Sequence, residues 1–167
     1  MKLLDRAPLF ETPSEVWTPD GLIAVRPFQI VAWISLAAKK TVIDPGRPRL
    51  PAVLDTGLNH NLAIRRSHLE RWAKLSLPQF GIAKVNEQVV PLARANAWLH
   101  PSQRGKLASS DREPLLLELE EGIAVYPDDD NPARLPILGL RALARNDLTL
   151  IVNGKRREIT LKTSRWF

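Results

Sequence analysis

The chain has 167 residues, 44% of them apolar and 25% charged, which is enough for one well-buried core. It contains no cysteine, which excludes a disulfide framework, a thiol nucleophile and cysteine-ligated zinc, and fits a reducing, cytoplasmic setting. The net charge of +6 comes from 24 basic and 18 acidic residues. The late basic residues, from Arg134 and Arg141 through Arg145, Lys155, Arg156, Arg157, Lys162 and Arg165, carry no interleaved aromatic motif. We therefore read them as a solvated face that binds nucleic acid at most weakly and non-specifically, with an affinity that falls steeply with salt.

Fourteen prolines argue against long helices. Residues 1–20 read as an irregular lead-in, followed by a single domain over 21–167. Met1 to Phe10 lacks the apolar core of a secretory signal. Strands are expected at 22–26 and 28–38, with Val31, Trp33 and Ile34 buried. The second of these, Phe28 to Ala38, is the longest apolar run, and it is too short to span a bilayer, so no membrane partner is expected. Asp44-Pro45-Gly46-Arg47-Pro48 is a turn.

A short apolar strand, Leu50 to Leu54, then runs into Asp55-Thr56-Gly57. A carboxylate there is costly to bury unless it is hydrogen-bonded or functional. Ser67-His68-Leu69-Glu70 has the form of a capping box opening a short helix with Leu69, Trp72 and Ala73 on one face. A hairpin is expected over 82–86 and 88–99, turning at Asn86-Glu87. Residues 101–113 read as a polar surface loop.

Leu115 to Tyr126 is strand-like and broken at Gly122, and Asp128 to Pro132 is a loop. Leu135 to Leu138 is a short strand ending at Gly139, with a helical turn or two over 139–145. Leu148, Leu150 and Val152 alternate into Asn153-Gly154, and Ile159 and Leu161 alternate back, which predicts a closing hairpin with a two-residue turn. The whole reads as mostly β with two short helices.

Other chemistries find no pattern. His60, His68 and His100 form no His-Glu-x-x-His motif, and Asp128 to Asp130 lacks the ligand spacing of a calcium loop, so no metal site is expected. There is no nucleophile elbow and no phosphate-binding loop. Trp17, Trp33, Trp72, Trp98 and Trp166 read as core or interface residues rather than a stacking platform.

The succession of an apolar strand into Asp55-Thr56-Gly57, a hairpin, and a later Ile137-Leu138-Gly139 opening a short helix resembles the retropepsin-like aspartic proteases over roughly residues 22–163. The resemblance implies a retropepsin-like acid-protease fold, a closed or partly open β-barrel with short helices. It implies that Asp55 is the catalytic carboxylate, that Thr56 hydrogen-bonds across a dimer interface, and that the Gly57 N–H approaches the carboxylate. Ile137, Leu138 and Gly139 would pack beneath the loop.

The implied function is an aspartic endopeptidase acting on a polypeptide without cofactor. The chain supplies one Asp-Thr-Gly, so a homodimer would supply the second carboxylate. Three features depart from the family pattern. Leu58 stands where alanine or serine is usual, and either narrows the cleft or repacks. The flap segment Lys84 to Val89 lacks glycine, which would weaken water exclusion. His60 lies beside the loop, either lowering the aspartate pKa or serving as a structural, hydrogen-bonded histidine. Two other readings therefore stay open: an inactive dimeric binding module of the same fold, and a basic nucleic-acid-associated protein.

Overall fold

A computed structural model of the chain describes residues 1–85, 87–109, 112–128 and 135–164. Its strands in chain order are β1 (Lys2–Pro8), β2 (Ser14–Thr18), β3 (Gly21–Val25), β4 (Ile30–Ala38), β5 (Leu50–Asp55) and β6 (Leu62–Arg65). They continue with β7 (Gln79–Val85), β8 (Gln88–Ala93), β9 (Ala95–His100), β10 (Ser102–Gln103), β11 (Lys106–Leu107), β12 (Leu115–Leu117) and β13 (Ile123–Tyr126). A short helical segment, His68–Trp72, lies between β6 and β7, and after β14 (Ile137–Gly139) come the α-helix α1 (Leu140–Arg145) and the closing pair β15 (Leu148–Asn153) and β16 (Glu158–Thr163).

The mostly-β class holds, but among the described residues no sheet closes into a barrel. Nine strands form one sheet in the order β12-β9-β4-β5-β14-β6-β13-β8-β7, five form a second in the order β11-β10-β1-β16-β15, and β2 and β3 form a separate hairpin. The main core contains residues of all three sheets, including Leu3 and Leu4 of β1, Val16 and Val25 of the hairpin, Ile34, Leu54 and Leu138 of the large sheet, and Leu161 of β16. No helix among the described residues is long and apolar enough to cross a membrane.

Several expectations need correction. Residues 1–20 are not irregular. β1 pairs with β16 on one side and β10 on the other, because Leu3, Leu4 and Ala7 supply a buried face that the early charges disguised. The strand expected from residue 28 starts at Ile30, since Phe28 takes a left-handed φ of 60° and its N–H donates to the Phe10 carbonyl. Within β4, Ile34 is buried, whereas Val31 and Trp33 are half-buried. The stretch 88–99 is two strands, with β9 leaving the hairpin after Arg94 to pair with β4. The expected loop at 101–113 carries the short strands β10 and β11.

The short helical segment expected after Ser67 is present, as a wide turn over His68–Trp72, but the Ser67 side chain does not cap it. The Ser67 backbone is already helical (φ −62°, ψ −37°), and its N–H donates to the Asp128 carboxylate at 3.0 Å. The Asn153-Gly154 turn is longer than two residues. Asn153 pairs with Glu158, and the Asn153 side chain accepts the Arg156 N–H at 3.1 Å, holding a four-residue connection. Trp72 and Trp98 are buried, but Trp17 is 70% exposed, and Trp166 and the flap residue Asn86 lie outside the described residues.

Two buried histidines make the fold acid-sensitive. Burial, with Arg65 also near, pushes His68 down to about 4, where its ring stacks on Trp72 at 3.7 Å. Burial, with Arg49 also near, pushes His100 down to about 4, and its Nε2 shares a 2.6 Å hydrogen bond with the Ser35 hydroxyl. Unfolding releases each to the ordinary histidine value near 6.5. The unfolded chain therefore binds more protons below about pH 6.5, and stability is lost as pH falls from there to about 4. Each ring contributes a slope of up to about 1.4 kcal/mol per pH unit. Urea titrations at pH 7.5, 6.0 and 5.0 are expected to show a falling midpoint. An unchanged midpoint would contradict neutral burial of these rings.

Candidate active site

The site is built on β5, β14 and β6. Residues 50–54 are all buried, which is why the sequence reads as a continuous apolar run: β5 lies inside the sheet between β4 and β14, with both faces covered. β14 inserts between β5 and β6, parallel to the first and antiparallel to the second. Its register sets Ile137 opposite Val53, Leu138 opposite Leu54 and Gly139 opposite Asp55. Leu138 is completely buried, a contribution of roughly 1.5–3 kcal/mol to seating this strand.

The connection from β5 to β6 arches over the end of β14 and is fastened to it by backbone. The Gly139 N–H donates to the Asn61 carbonyl at 2.9 Å, and the Leu140 N–H donates to the Leu58 carbonyl at 3.2 Å. A Cβ on Gly139 would sit 2.1 Å from the His60 carbonyl oxygen and 2.8 Å from that of Leu58, so only glycine fits. Within the loop, the Gly57 N–H donates to Asp55 Oδ1 at 2.8 Å, and the Leu58 N–H donates to the Asp55 carbonyl at 3.3 Å. A Cβ on Gly57 would come within 3.1 Å of the same carboxylate oxygen.

Asp55, Thr56 and Gly57 are all exposed in the single chain. Among the described residues no side chain hydrogen-bonds to the Thr56 hydroxyl. Asp55, Thr56, Gly57, Ile137, Leu138 and Gly139 therefore come together at one end of the β5–β14 pair, with the polar members on the surface and Leu138 and Gly139 beneath.

The structure resolves the question of Leu58. Its side chain is 3% exposed and belongs to a small apolar cluster with Ala63, Val85, Val90, Leu92, Ala124 and Tyr126. It repacks under the β7–β8 hairpin instead of projecting from the loop. The hairpin turns one face, with Ala83, Val85, Val90 and Leu92, toward that cluster. The other face leaves Phe80, Ile82 and Val89 exposed, and the Arg94 guanidinium lies 4.7 Å from the Phe80 ring centroid.

His60 and Asn61 are buried behind the loop at 3% and 2% exposure. Burial, with Arg141 also near, lowers the His60 pKa against a hydrogen bond between the ring and the Leu62 backbone, the kind of contact a structural histidine makes. Among the described residues, His60 Nδ1 and Asn61 Oδ1 have no hydrogen-bond partner. The Asn61 amide donates to the Gly122 carbonyl at 3.3 Å, which ties the loop to the start of β13. Sequence reasoning missed this tie and saw Gly122 only as a strand breaker. Its left-handed φ of 76° and the Ala93 carbonyl oxygen, which a Cβ would meet at 2.5 Å, are what require glycine there. Among the described residues, no group of three or more histidines and carboxylates is placed to hold a metal ion. No protein-family model matches this sequence, and no curated protein matches it either.

Proposed function

We propose that the protein is a homodimeric aspartic endopeptidase of the retropepsin-like type, in which Asp55 from each of two chains forms the catalytic pair. The observation that carries this reading is the pairing of Gly139 with Asp55 inside the β5–β14–β6 insertion, which leaves Asp-Thr-Gly presented at the surface. A surface carboxylate held by the Gly57 N–H is poised to meet a partner rather than to act alone.

Peptide hydrolysis in this reading needs two carboxyls about 3 Å apart sharing one proton. The ionised one takes a proton from the attacking water, and the protonated one gives its proton to the substrate carbonyl oxygen. The tetrahedral intermediate then collapses: the C–N bond breaks as the carboxyl that took the water proton gives it to the leaving amine, and the other carboxylate takes a proton from a hydroxyl of the intermediate, which restores the pair. The two carboxyls titrate as a pair, so a pH–rate profile would give apparent values that belong to the dimer and not to either residue. In this reading Thr56, exposed beside Asp55, hydrogen-bonds across the twofold axis of the dimer. Leu58 is buried under the hairpin and does not project beside Asp55, which supports an active enzyme over an inactive binding module.

The test is digestion of a mixed peptide library at acidic and neutral pH, with cleavage sites read by mass spectrometry. Internal cleavage is the expected result. A folded dimer that leaves the library intact at every pH would instead make this fold a dimeric binding module.

A further inference from the structure

We propose that His60 is the positioning residue of the Asp55 loop, and that it seats the loop only while its ring is neutral. The seat is a property of the fold and stands apart from the peptidase reading; only its consequence for activity rests on that reading.

His60 sits where the acid-bearing loop is clamped. Its carbonyl and that of Leu58 close around Gly139, and the next residue sends its own carbonyl to the Gly139 N–H. The ring is 3% exposed and, among the described residues, its Nδ1 has no partner. A neutral imidazole suits such a place, because it is largely apolar and its second nitrogen needs no acceptor. An imidazolium does not suit it, because both nitrogens then donate and the charge is cut off from water.

A hydrogen bond between the ring and the Leu62 backbone favours the charged form, but burial outweighs it and the neighbouring charges add nothing to it. Arg141, at the start of α1, faces it with the same sign and is ion-paired to Glu121 just ahead of β13. Asp55 ends β5 in solvent, and Arg65 at the end of β6 turns to the Asp128 carbonyl. Tyr126 of β13 is held neutral by burial, which raises its pKa. Protonating His60 therefore expels the ring or opens the clamp, and in either case the β5–β6 connection loses its fixed relation to Gly139. In the peptidase, this would set an acid limit on activity that is separate from titration of the carboxylate pair.

The experiment follows the His60 ring by NMR in labelled full-length protein between pH 7.5 and 4.5. Amide exchange of Gly57, Leu58 and Gly139 is measured alongside, relative to amides of β4. The expected result is a ring that stays neutral well below the ordinary histidine range, with relative loop protection falling by up to about tenfold per pH unit between that ordinary value and the ring's own lowered one, where only the opened loop takes up the proton. His60→Gln, which cannot become charged, is expected to keep its relative loop protection flat over the same range. If this variant does not fold, the wild-type titration alone decides.

Peptidase activity is a separate readout. Loop opening coupled to the ring in a protein with no activity at any pH would support the positioning role and remove the peptidase reading. A ring that protonates without any change in the loop amides would overturn the proposal. So would a His60→Gln variant whose loop opens over the same pH range as wild type.

Discussion

Asp55→Asn is expected to lower peptidase activity by about 100- to 10,000-fold while leaving the fold intact. The asparagine side chain keeps the Oδ1 acceptor for the Gly57 N–H, so the local turn that holds the loop survives. What is lost is the ability to take or give a proton. The site is exposed, so unfolding free energy should stay within about 0.5 kcal/mol of wild type. The check is steady-state cleavage of a peptide found in the library screen, with urea unfolding of the same preparation. Near-normal activity in purified variant would remove Asp55 from the mechanism.

Gly139→Ala is expected to produce the largest loss of stability of any single methyl addition near the site, about 3 kcal/mol. The backbone φ of −93° is open to alanine, so the cost is overlap and not torsional strain. The new Cβ would lie 2.1 Å from the His60 carbonyl oxygen, a backbone atom that moves only if the whole loop moves. Shifting the loop breaks the Gly139–Asn61 and Leu140–Leu58 hydrogen bonds that fasten it. In a chain of this size, such a loss lowers the melting temperature by roughly 6–12 °C. Gly81→Ala is the control, because its Cβ meets nothing within 4 Å, and it should change little. Equal melting temperatures for Gly139→Ala and wild type would show that the loop is not clamped over β14 as described.

The elements most legible in the sequence were those whose pattern reports burial directly. β5 and β14 could be read because both are short, apolar and closed by an acid or a glycine, and their pairing places Gly139 opposite Asp55. The closing hairpin was legible from its alternation, but its turn was not. Asn-Gly favours a two-residue connection, whereas here the Asn153 side chain and the register to Glu158 hold a longer one.

β1 was hidden because its apolar residues, Leu3, Leu4 and Ala7, do not alternate regularly. Register shifts in its pairing with β16, between Lys2 and Ala7, break the period of two. Ser67 misled for a related reason: a remote carboxylate, Asp128, takes the role that local capping would have filled.

The candidate site was legible in its identities but not in its supports. Asp55, Thr56, Gly57 and Gly139 stood out as residue types, whereas the Asn61–Gly122 tie and the burial of Leu58 depend on contacts between segments far apart in sequence.

The central claim is that one chain supplies one half of the active site. It is tested most directly by sedimentation velocity run alongside the peptide-cleavage assay through a dilution series. Specific activity is expected to fall with dilution over the concentration range in which the sedimenting species changes from dimer to monomer. Thr56→Ala should shift both curves together to higher concentration, since a lost hydrogen bond at such a contact costs on the order of 1 kcal/mol or more. A fully active species that sediments as a monomer at the assay concentration would contradict the paired-carboxylate mechanism.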